Sequence, residues 1–434
     1  MQILTKLKHS DNLRKIIANT GWLFADRILR MGVGIIVTVW IARYLGVEQF
    51  GLLNYATTFV ALFSPLASLG LDEIVIKEIV SNPSRKEEIL GTTFWLKFIS
   101  AIVCLLLTVS CIFGFRHGDT LIISLVTILA ASNIFQAFNI ISLWFQSQIQ
   151  SKYTVISKNT VFVVITIFKV ILIIKKAPLI AFAWATSMEF IVSALGLAIV
   201  YRAKGFSMRR WRWNFPMAKS LIRESFPLIF SGISIMIYMK IDQIMLGEMV
   251  GDTAVGIYSA ATRISEVWYF IPMAIASSIS PSFYEKKNIN KALYYKQIMQ
   301  LHRLLVLVSL AIALPMTFLS GKVIVLFFSH DYAEAGNVLA IHIWATIFVF
   351  MGVATSSWFI AEGLTKFSMY RTVAGGIANV ILNLLLIPRY ASIGAAIATV
   401  ISYSVAGFFI HAAHSRTRKI FQIQLQSLGI KMLK

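Results

Sequence analysis

The chain has 434 residues, of which 58% are hydrophobic and 14% are charged, whereas about a quarter of the residues in a soluble protein are charged. Its formal net charge is +21, which in a soluble chain would suggest nucleic-acid binding. Because the shortage of charged residues extends along the whole sequence, the composition excludes a soluble nucleic-acid-binding protein. It predicts a polytopic membrane protein whose basic excess reflects topology and attraction to anionic lipid.

Apolar runs of roughly 17–25 residues, long enough to cross a bilayer as helices, follow one another with short polar breaks. The runs are continuously apolar rather than alternating, so we predict an all-α membrane protein rather than a barrel. The twelve predicted transmembrane helices are 17–43, 50–71, 89–114, 119–147, 154–174, 178–201, 221–247, 253–281, 303–328, 335–361, 367–388 and 391–413.

Lysine and arginine are concentrated in one set of the predicted loops. Of the 40 such residues, 28 lie in the two tails and in the loops after even-numbered helices, and 5 lie on the other side. Cytoplasmic loops carry the excess of Lys and Arg, so we predict both termini in the cytoplasm of an inner-membrane, multi-pass protein. This count groups Lys158 and Arg371, which lie near the starts of the predicted helices 154–174 and 367–388, with the cytoplasmic loops.

The sequence contains an internal repeat. "GVEQFGLLNYAT" (Gly46–Thr57) returns as "GDTAVGIYSAAT" (Gly251–Thr262), and "SLWFQSQIQSKYT" (Ser142–Thr154) returns as "SSWFIAEGLTKFS" (Ser356–Ser368). An Ala-Thr pair near 186 recurs near 399, an offset of 213 residues. Three echoes in the same order predict two parallel-repeat six-helix lobes around a central cavity, the design of alternating-access transporters.

This repeat sets the predicted domain organisation: an N-lobe at 1–201, a cytoplasmic basic linker at 202–220, a C-lobe at 221–413 and a cytoplasmic basic tail at 414–434. The tail is expected to lie at the membrane interface or to fray. In the repeated motif, Gly46 and Gly251 suit a helix C-terminus that needs positive φ. Gly51 and Gly256 suit close packing at the start of the next helix.

Several ionisable residues lie inside predicted helices, where each costs about 2.5–3.5 kcal/mol at the centre of the bilayer. Such residues normally face a cavity or a partner. The basic residues Arg27, Arg30, Lys240 and Arg263 are the predicted substrate-binding set, and the acids Asp26, Asp242, Glu266 and Glu189 are the predicted coupling or charge-pair set. A net-cationic cavity would suit an anionic substrate, and guanidinium groups suit phosphate.

Ion pairing alone is the alternative role for part of this set. Asp26 and Arg30 are spaced i,i+4 and Arg263 and Glu266 are spaced i,i+3, so each pair could lie on one helix face. Arg27, Lys240 and Asp242 have no opposite charge at helical spacing. These three are therefore the stronger candidates for substrate binding or for coupling to H⁺ or Na⁺, with Asp242 the predicted coupling site.

Catalytic motifs are missing from the sequence. It contains no GxxxxGK[ST], HExxH or GxSxG pattern, and its seven histidines are scattered. We therefore predict neither an enzyme nor a catalytic residue, metal site or cofactor.

The segment "NTGWLFADRILRMGVGIIVTVWIARYLGVEQFGLLNYA" resembles the start of the Wzx-type polysaccharide flippases. The resemblance is carried by Asn19 and by an AR-x-LG-x-x-x-FG turn, whose residues here are Ala42, Arg43, Leu45, Gly46, Phe50 and Gly51. "SLGLDEIVIKEIV" (Ser68–Val80) and "YMKIDQIMLGEMVGDTAVGIYSAA" (Tyr238–Ala261) resemble later parts of the same family.

This resemblance implies the fold of the multidrug, oligosaccharidyl-lipid and polysaccharide exporter (MOP) superfamily. It implies a flippase that moves a polyprenyl-diphosphate-linked oligosaccharide, such as an O-antigen unit for lipopolysaccharide, from the cytoplasmic to the periplasmic leaflet. The implied partners are the lipid-linked oligosaccharide, membrane lipids, an H⁺ or Na⁺ coupling ion and a polysaccharide polymerase, with no nucleic acid.

Three alternatives stay open. A MATE-like cation-coupled drug exporter should have an acid-rich cavity, which the excess of cations opposes. A lipid II flippase commonly has two further helices. A membrane O-antigen polymerase belongs to another class and should carry a long outward loop, whereas the predicted outward loops are short, for example 115–118 and 329–334.

Overall fold

The computed structural model describes the backbone of residues 2–429 and the side chains of residues 19–277, 279, 287 and 290–429. The described residues form α-helices joined by short turns and 3₁₀ segments, with no strand among them. In chain order the helices are α1 Gln2–Ser68, α2 Asp72–Ser81, α3 Lys86–Phe115, α4 Thr120–Ser132, α5 Ile140–Ser147, α6 Lys152–Ile174, α7 Leu179–Ala203, α8 Phe215–Met249, α9 Asp252–Glu266, α10 Phe270–Ile289, α11 Lys291–Phe328, α12 Ala335–His342, α13 Ala345–Glu362, α14 Thr365–Gly407 and α15 Arg418–Ser427.

Within the described part of the chain, nine helical segments are long and apolar enough to cross a membrane. Many large apolar side chains on them are exposed, for example Ile174 at 71%, Phe318 at 83% and Leu326 at 70%. Apolar surface of this kind suits contact with lipid rather than water. The prediction of a polytopic all-α membrane protein is confirmed.

Two of the helices in these segments, α1 and α14, contain a residue with non-helical dihedral angles. Gly46 interrupts α1 with φ of 74°, and Ala391 interrupts α14 with φ of 47°. Both breaks lie at predicted junctions between helices. The predicted eighth helix is represented by α9 and α10, separated by a 3₁₀ turn at Val267–Tyr269. The exact count of twelve stays a prediction.

The chain divides into two compact units. The first contains residues up to Tyr44 together with Ala56–Ile233, and the second contains Leu45–Tyr55 together with residues from Ser234 onward. The main division therefore falls inside α8, beyond the predicted linker at 202–220.

The linker packs on the first unit. The amide of Arg212 donates to the carbonyl of Glu87 at 3.1 Å, and the indole of Trp211 donates to the hydroxyl of buried Tyr201 at 3.3 Å. A Cβ added at Gly91 would lie 2.5 Å from the backbone of Arg212. The close backbone approach explains the glycine and fixes the segment in place.

The basic tail differs from the expectation of a frayed or interfacial segment. Helix α15 packs on α11 and buries Ile420 and Gln424 completely. The amide of Gln424 donates to Thr355 Oγ1 at 3.0 Å and to the Gly407 carbonyl at 2.9 Å. A buried amide with these partners holds the helix to the second unit, because an unpaired one would be costly.

The repeated glycine motifs meet inside the second unit. A Cβ added at Gly51 would lie 1.8 Å from the Asp252 carbonyl oxygen, and one added at Gly256 would lie 2.1 Å from the Val47 carbonyl oxygen. Val47 and Asp252 occupy equal positions in the repeat, as do Gly51 and Gly256, so the contact is reciprocal, like the interface of a two-fold dimer. Gly46 and Gly251 have φ of 74° and 122°. The predicted roles of all four glycines are confirmed.

Candidate functional site

A charge network lies among the helices of the first unit. Arg30 Nε donates to Asp26 Oδ1 at 2.9 Å, one turn away on α1, and Arg30 Nη1 donates to Glu189 Oε1 on α7 at 3.3 Å. Lys169 Nζ lies 3.8 Å from the other oxygen of Glu189. These four side chains are between 17% and 29% exposed. Each acid therefore has a basic partner, and Arg30 bridges two helices.

A cavity of about 300 Å³ lies beside this network. Asp26, Arg30 and Glu189 line it, together with Lys158 and Asn139. Lys158 Nζ donates to the Asn139 side-chain oxygen at 2.7 Å. The cavity wall thus carries hydrogen-bond donors, acceptors and charges of both signs, on helices that are otherwise apolar. Such a wall can hold a polar or charged group.

The second unit contains a different pairing from that expected from spacing. Glu266 on α9 pairs with Lys240 on α8, with 3.3 Å between Lys240 Nζ and Glu266 Oε2. Arg263 is exposed, and no carboxylate in the described part of the chain lies within ion-pair distance of it. Arg27 is also exposed, on α1.

Asp242, on α8, is 2% exposed and is held by neutral groups. Oδ2 lies 2.9 Å from the hydroxyl of Tyr258 on α9 and 2.8 Å from that of Thr399 on α14. Oδ1 accepts from Nδ2 of Asn383, also on α14, at 2.5 Å. No basic side chain pairs with it among the residues described, so its charge has no fixed counter-ion.

The neighbouring amides extend this site. Asn383 Nδ2 also donates to Asn379 Oδ1 at 3.0 Å, and Asn379 donates to Ser402 at 3.2 Å. The side-chain oxygen of Asn383 is buried and has no hydrogen-bond donor among the described residues. A buried carboxylate beside an unsatisfied amide oxygen suits a small cation, since carboxylate and carbonyl oxygens are ligands of hard cations. Protonation of Asp242 would neutralise the same site.

The predicted substrate-binding residues are distributed over both units. Arg27 and Arg30 belong to the first unit, and Lys240 and Arg263 belong to the second. Of the four, Arg30 lines the cavity described above. That all four meet in one cavity stays a prediction.

Two basic residues were missed because the charge count assigned them to loops. Lys158 lies in α6 and Arg371 lies in α14. Lys158 lines the cavity of the first unit, and Arg371 lines a cavity of about 180 Å³ in the second. The repeat could have revealed them, because the two positions are separated by the offset of 213 residues seen for the later Ala-Thr echo.

Comparison with known proteins gives matches over most of the chain. Residues 16–286 match the family profile described as polysaccharide biosynthesis protein, and residues 227–385 match the MatE profile. A probable low-salt glycan biosynthesis flippase, Agl15 of Haloferax volcanii, is 23% identical over 417 residues, 94% of this chain and 85% of the relative. The probable flippase AglR of the same organism is 31% identical over 39% of this chain and 36% of its own length.

Solved structures show the same fold. The lipid II flippase MurJ in an inward closed conformation aligns with a TM-score of 0.73 at 17% identity, covering 95% of this chain and 91% of MurJ. An inward-facing multidrug resistance MATE family transporter of the MOP superfamily aligns with a TM-score of 0.70 at 14% identity, covering 92% and 95%. At these identities the likeness establishes the fold and leaves the cargo open.

Proposed function

This chain belongs to the polysaccharide biosynthesis protein family, and from that premise we propose that it flips a polyprenyl-diphosphate-linked oligosaccharide from the cytoplasmic to the outer leaflet. The named relatives include flippases, and the structural neighbours are a flippase and transporters rather than enzymes. The fold, with its internal repeat, supports alternating access as the mechanism.

The observation that carries this proposal is the polar cavity of the first unit. A diphosphate-sugar headgroup has many hydroxyls and negative charges, and each polar group left without a partner in hydrocarbon costs several kcal/mol. Arg30 and Lys158 supply cations, and Asp26, Glu189 and Asn139 supply acceptors for hydroxyl groups. Arginine also provides a planar fork of donors for phosphate oxygens.

Asp242 is the proposed coupling site. Its carboxylate is buried, without a basic partner among the described residues, and next to the unsatisfied oxygen of Asn383. Binding of Na⁺ or H⁺ would remove an uncompensated buried charge. Because Asp242 contacts both α9 and α14, the occupancy of this site would change the packing of three helices, which is how an ion gradient would drive transport.

The test is a flipping assay with the purified protein in proteoliposomes. A fluorescent polyprenyl-diphosphate oligosaccharide is added to one leaflet, and its arrival in the other is measured by accessibility to a membrane-impermeant quencher. We expect Arg30→Lys to slow flipping and Arg30→Ala to abolish it nearly completely at equal protein level. Arg389→Ala, at an exposed position on α14, is the matched control and should flip at the normal rate.

The competing role for Arg30 is that of a structural ion pair. In that case Arg30→Ala would lower the yield of folded protein, and neutralising Asp26 as well would restore it, since the partly buried acid left without its partner is then gone. Normal flipping by Arg30→Ala, or wild-type protein that moves drugs but no lipid-linked glycan, would overturn the proposal. Complementation of flippase-deficient strains that make defined glycans would identify the sugar. In cells that lack this protein, single oligosaccharide units delivered to the outside would indicate a polymerase instead.

A further inference from the structure

The cavities of the two units are related by the internal repeat. Seven residues lining the first cavity, between Phe135 and Ala194, lie 213 positions before seven residues lining the second, between Phe348 and Gly407. Lys158 corresponds in this way to Arg371. Each unit therefore contains its own copy of the cavity. The two copies are lined by repeat-related positions, and each has a basic side chain at the same place in the repeat.

The two copies have diverged in charge. The first cavity contains the acids Asp26 and Glu189 beside its basic residues. The second contains no acid, and its lining is largely aromatic and aliphatic. Arg371 is consequently the single charged residue among those lining the second cavity.

Arg371 is positioned but not neutralised. Its Nη1 donates to the Gly352 carbonyl at 3.0 Å, and its Nη2 donates to Ser356 Oγ at 2.6 Å. Both partners are neutral, and no carboxylate pairs with Arg371 in the described part of the chain. A guanidinium has five N–H groups, so three have no acceptor among these residues. The guanidinium also lies over the Phe359 ring, 5.5 Å from its centroid, but it has no anionic partner among the described residues. A charge inside a membrane helix is costly without one, and an anionic ligand would supply it.

A second unsatisfied group lines the same cavity. Tyr269 is 8% exposed, and its buried hydroxyl has no hydrogen-bond partner among the described residues. Tyr238 and Tyr403 also line the cavity and stack with their ring centroids 4.4 Å apart. A buried hydroxyl without a partner is rare in native proteins, so Tyr269 and Arg371 each offer the cavity a polar group with which a ligand can pair.

The size of the cavity limits that ligand. A volume of about 180 Å³ is below the roughly 300–1,000 Å³ of pockets for drug-sized molecules and corresponds to about six water molecules. It suits one ring or one charged group rather than a whole oligosaccharide. Aromatic walls suit the apolar C–H face of a sugar ring.

We propose that the second cavity binds one anionic group of the substrate together with the sugar ring that carries it, through Arg371 and Tyr269. The anion is either an acidic substituent of a sugar, such as a uronate carboxylate, or the diphosphate next to the first sugar. This proposal rests on the proposed function for the identity of the ligand. It assigns anion recognition in the second unit to a residue outside the set Arg27, Arg30, Lys240 and Arg263.

The test is equilibrium binding to the full-length protein in lipid nanodiscs, measured by titration calorimetry and saturation-transfer NMR. The probes are glucuronate, glucose as its neutral counterpart, and inorganic pyrophosphate. Hydrogen bonds to charged groups are stronger than those between neutral groups, so we expect at least one anionic probe to bind roughly ten-fold or more tightly than glucose. Arg371→Gln should remove that difference and Arg371→Lys should keep part of it.

One control isolates the site. Arg389→Gln changes an exposed arginine on the same helix and should leave the affinity of the anionic probe within about two-fold of wild type. Tyr269→Phe removes only the unsatisfied hydroxyl and should weaken anion binding, which gives a reading even where Arg371→Gln does not fold.

The probes show whether the bound anionic group belongs to an acidic sugar or to the diphosphate. Binding of glucuronate that pyrophosphate does not displace assigns the site to an acidic sugar, whereas binding of pyrophosphate alone assigns it to the diphosphate. Equal binding of glucose and both anions, or anion binding unchanged in Arg371→Gln and Tyr269→Phe, overturns the inference. Anion binding through Arg371 in a protein that flips no glycan overturns the proposed function and leaves this site standing.

Discussion

Replacing Gly51 or Gly256 with alanine tests the reciprocal contact between the two copies of the repeated motif. In each variant the added Cβ would meet a backbone carbonyl oxygen, at 1.8 Å for Gly51 and 2.1 Å for Gly256. Ordinary carbon contacts begin near 3.5 Å. A backbone oxygen cannot rotate away as a side chain can, so the two segments must separate by more than about 1 Å.

Overpacking of this kind costs typically 1–3 kcal/mol and occasionally more, and we expect each single variant at the upper end of that range. The double variant should cost less than the sum of the two singles, because one separation relieves both clashes and neighbouring sites are not additive. Gly34→Ala is the matched control, since nothing described lies within 4 Å of its added Cβ.

The assay is thermal unfolding of the purified variants in one detergent, followed by intrinsic tryptophan fluorescence. We expect Gly51→Ala and Gly256→Ala to lower the apparent Tm by several degrees, because roughly 2–4 °C correspond to 1 kcal/mol in chains of about 150–250 residues. Gly34→Ala should not lower it, since alanine is the better helix former and its Cβ meets no described atom. Two single variants as stable as Gly34→Ala, or a double variant with a fully additive loss, would refute the reciprocal contact.

Three further predictions concern topology, coupling and the tail. In a background without native cysteines, cysteine at the exposed position His117 should react with an impermeant maleimide from outside the cell and cysteine at Lys204 should not; the reverse pattern would contradict the predicted orientation. The Asp242→Asn protein should fold normally but flip the lipid-linked glycan at the rate that wild type shows without an ion gradient. If Na⁺ and pH gradients changed the flipping rates of both proteins equally, Asp242 would have no role in coupling. Gln424→Ala should destabilise the protein by about 1–3 kcal/mol through the partners it leaves unpaired and expose α15 to protease, whereas Gln426→Ala, exposed on the same helix, should do neither.

Local chemistry made part of this structure predictable. The helix break at Gly46 and the close packing at Gly51 follow from what a glycine permits, and both can be recognised from the repeated motif alone. The Asp26–Arg30 pair follows from its i,i+4 spacing. Hydropathy predicts the membrane class because hydrocarbon requires every backbone group to be paired internally.

Contacts between distant helices were not predictable from spacing. Glu189 reaches Arg30 from a helix 159 residues later in the chain, and Glu266 pairs with Lys240 rather than with Arg263, which lies closer in sequence. Arg371 was counted with a loop, although the predicted helix 367–388 contains it, because the positive-inside count treats a charge near a helix end as solvated. Helix α14 begins at Thr365, so the same residue lies inside the helix and lines a cavity.

The assignment of Leu45–Tyr55 to the second unit has a consequence for biosynthesis. Gly51 leaves the ribosome about 200 residues before its partner Asp252, which at roughly 5–20 residues per second is a delay of about 10–40 s. During that interval the turn lacks the Asp252 backbone that Gly51 packs against and the Phe328 and Tyr332 rings that pack on Phe50. A nascent chain released after residue 233 would therefore leave this turn without those contacts.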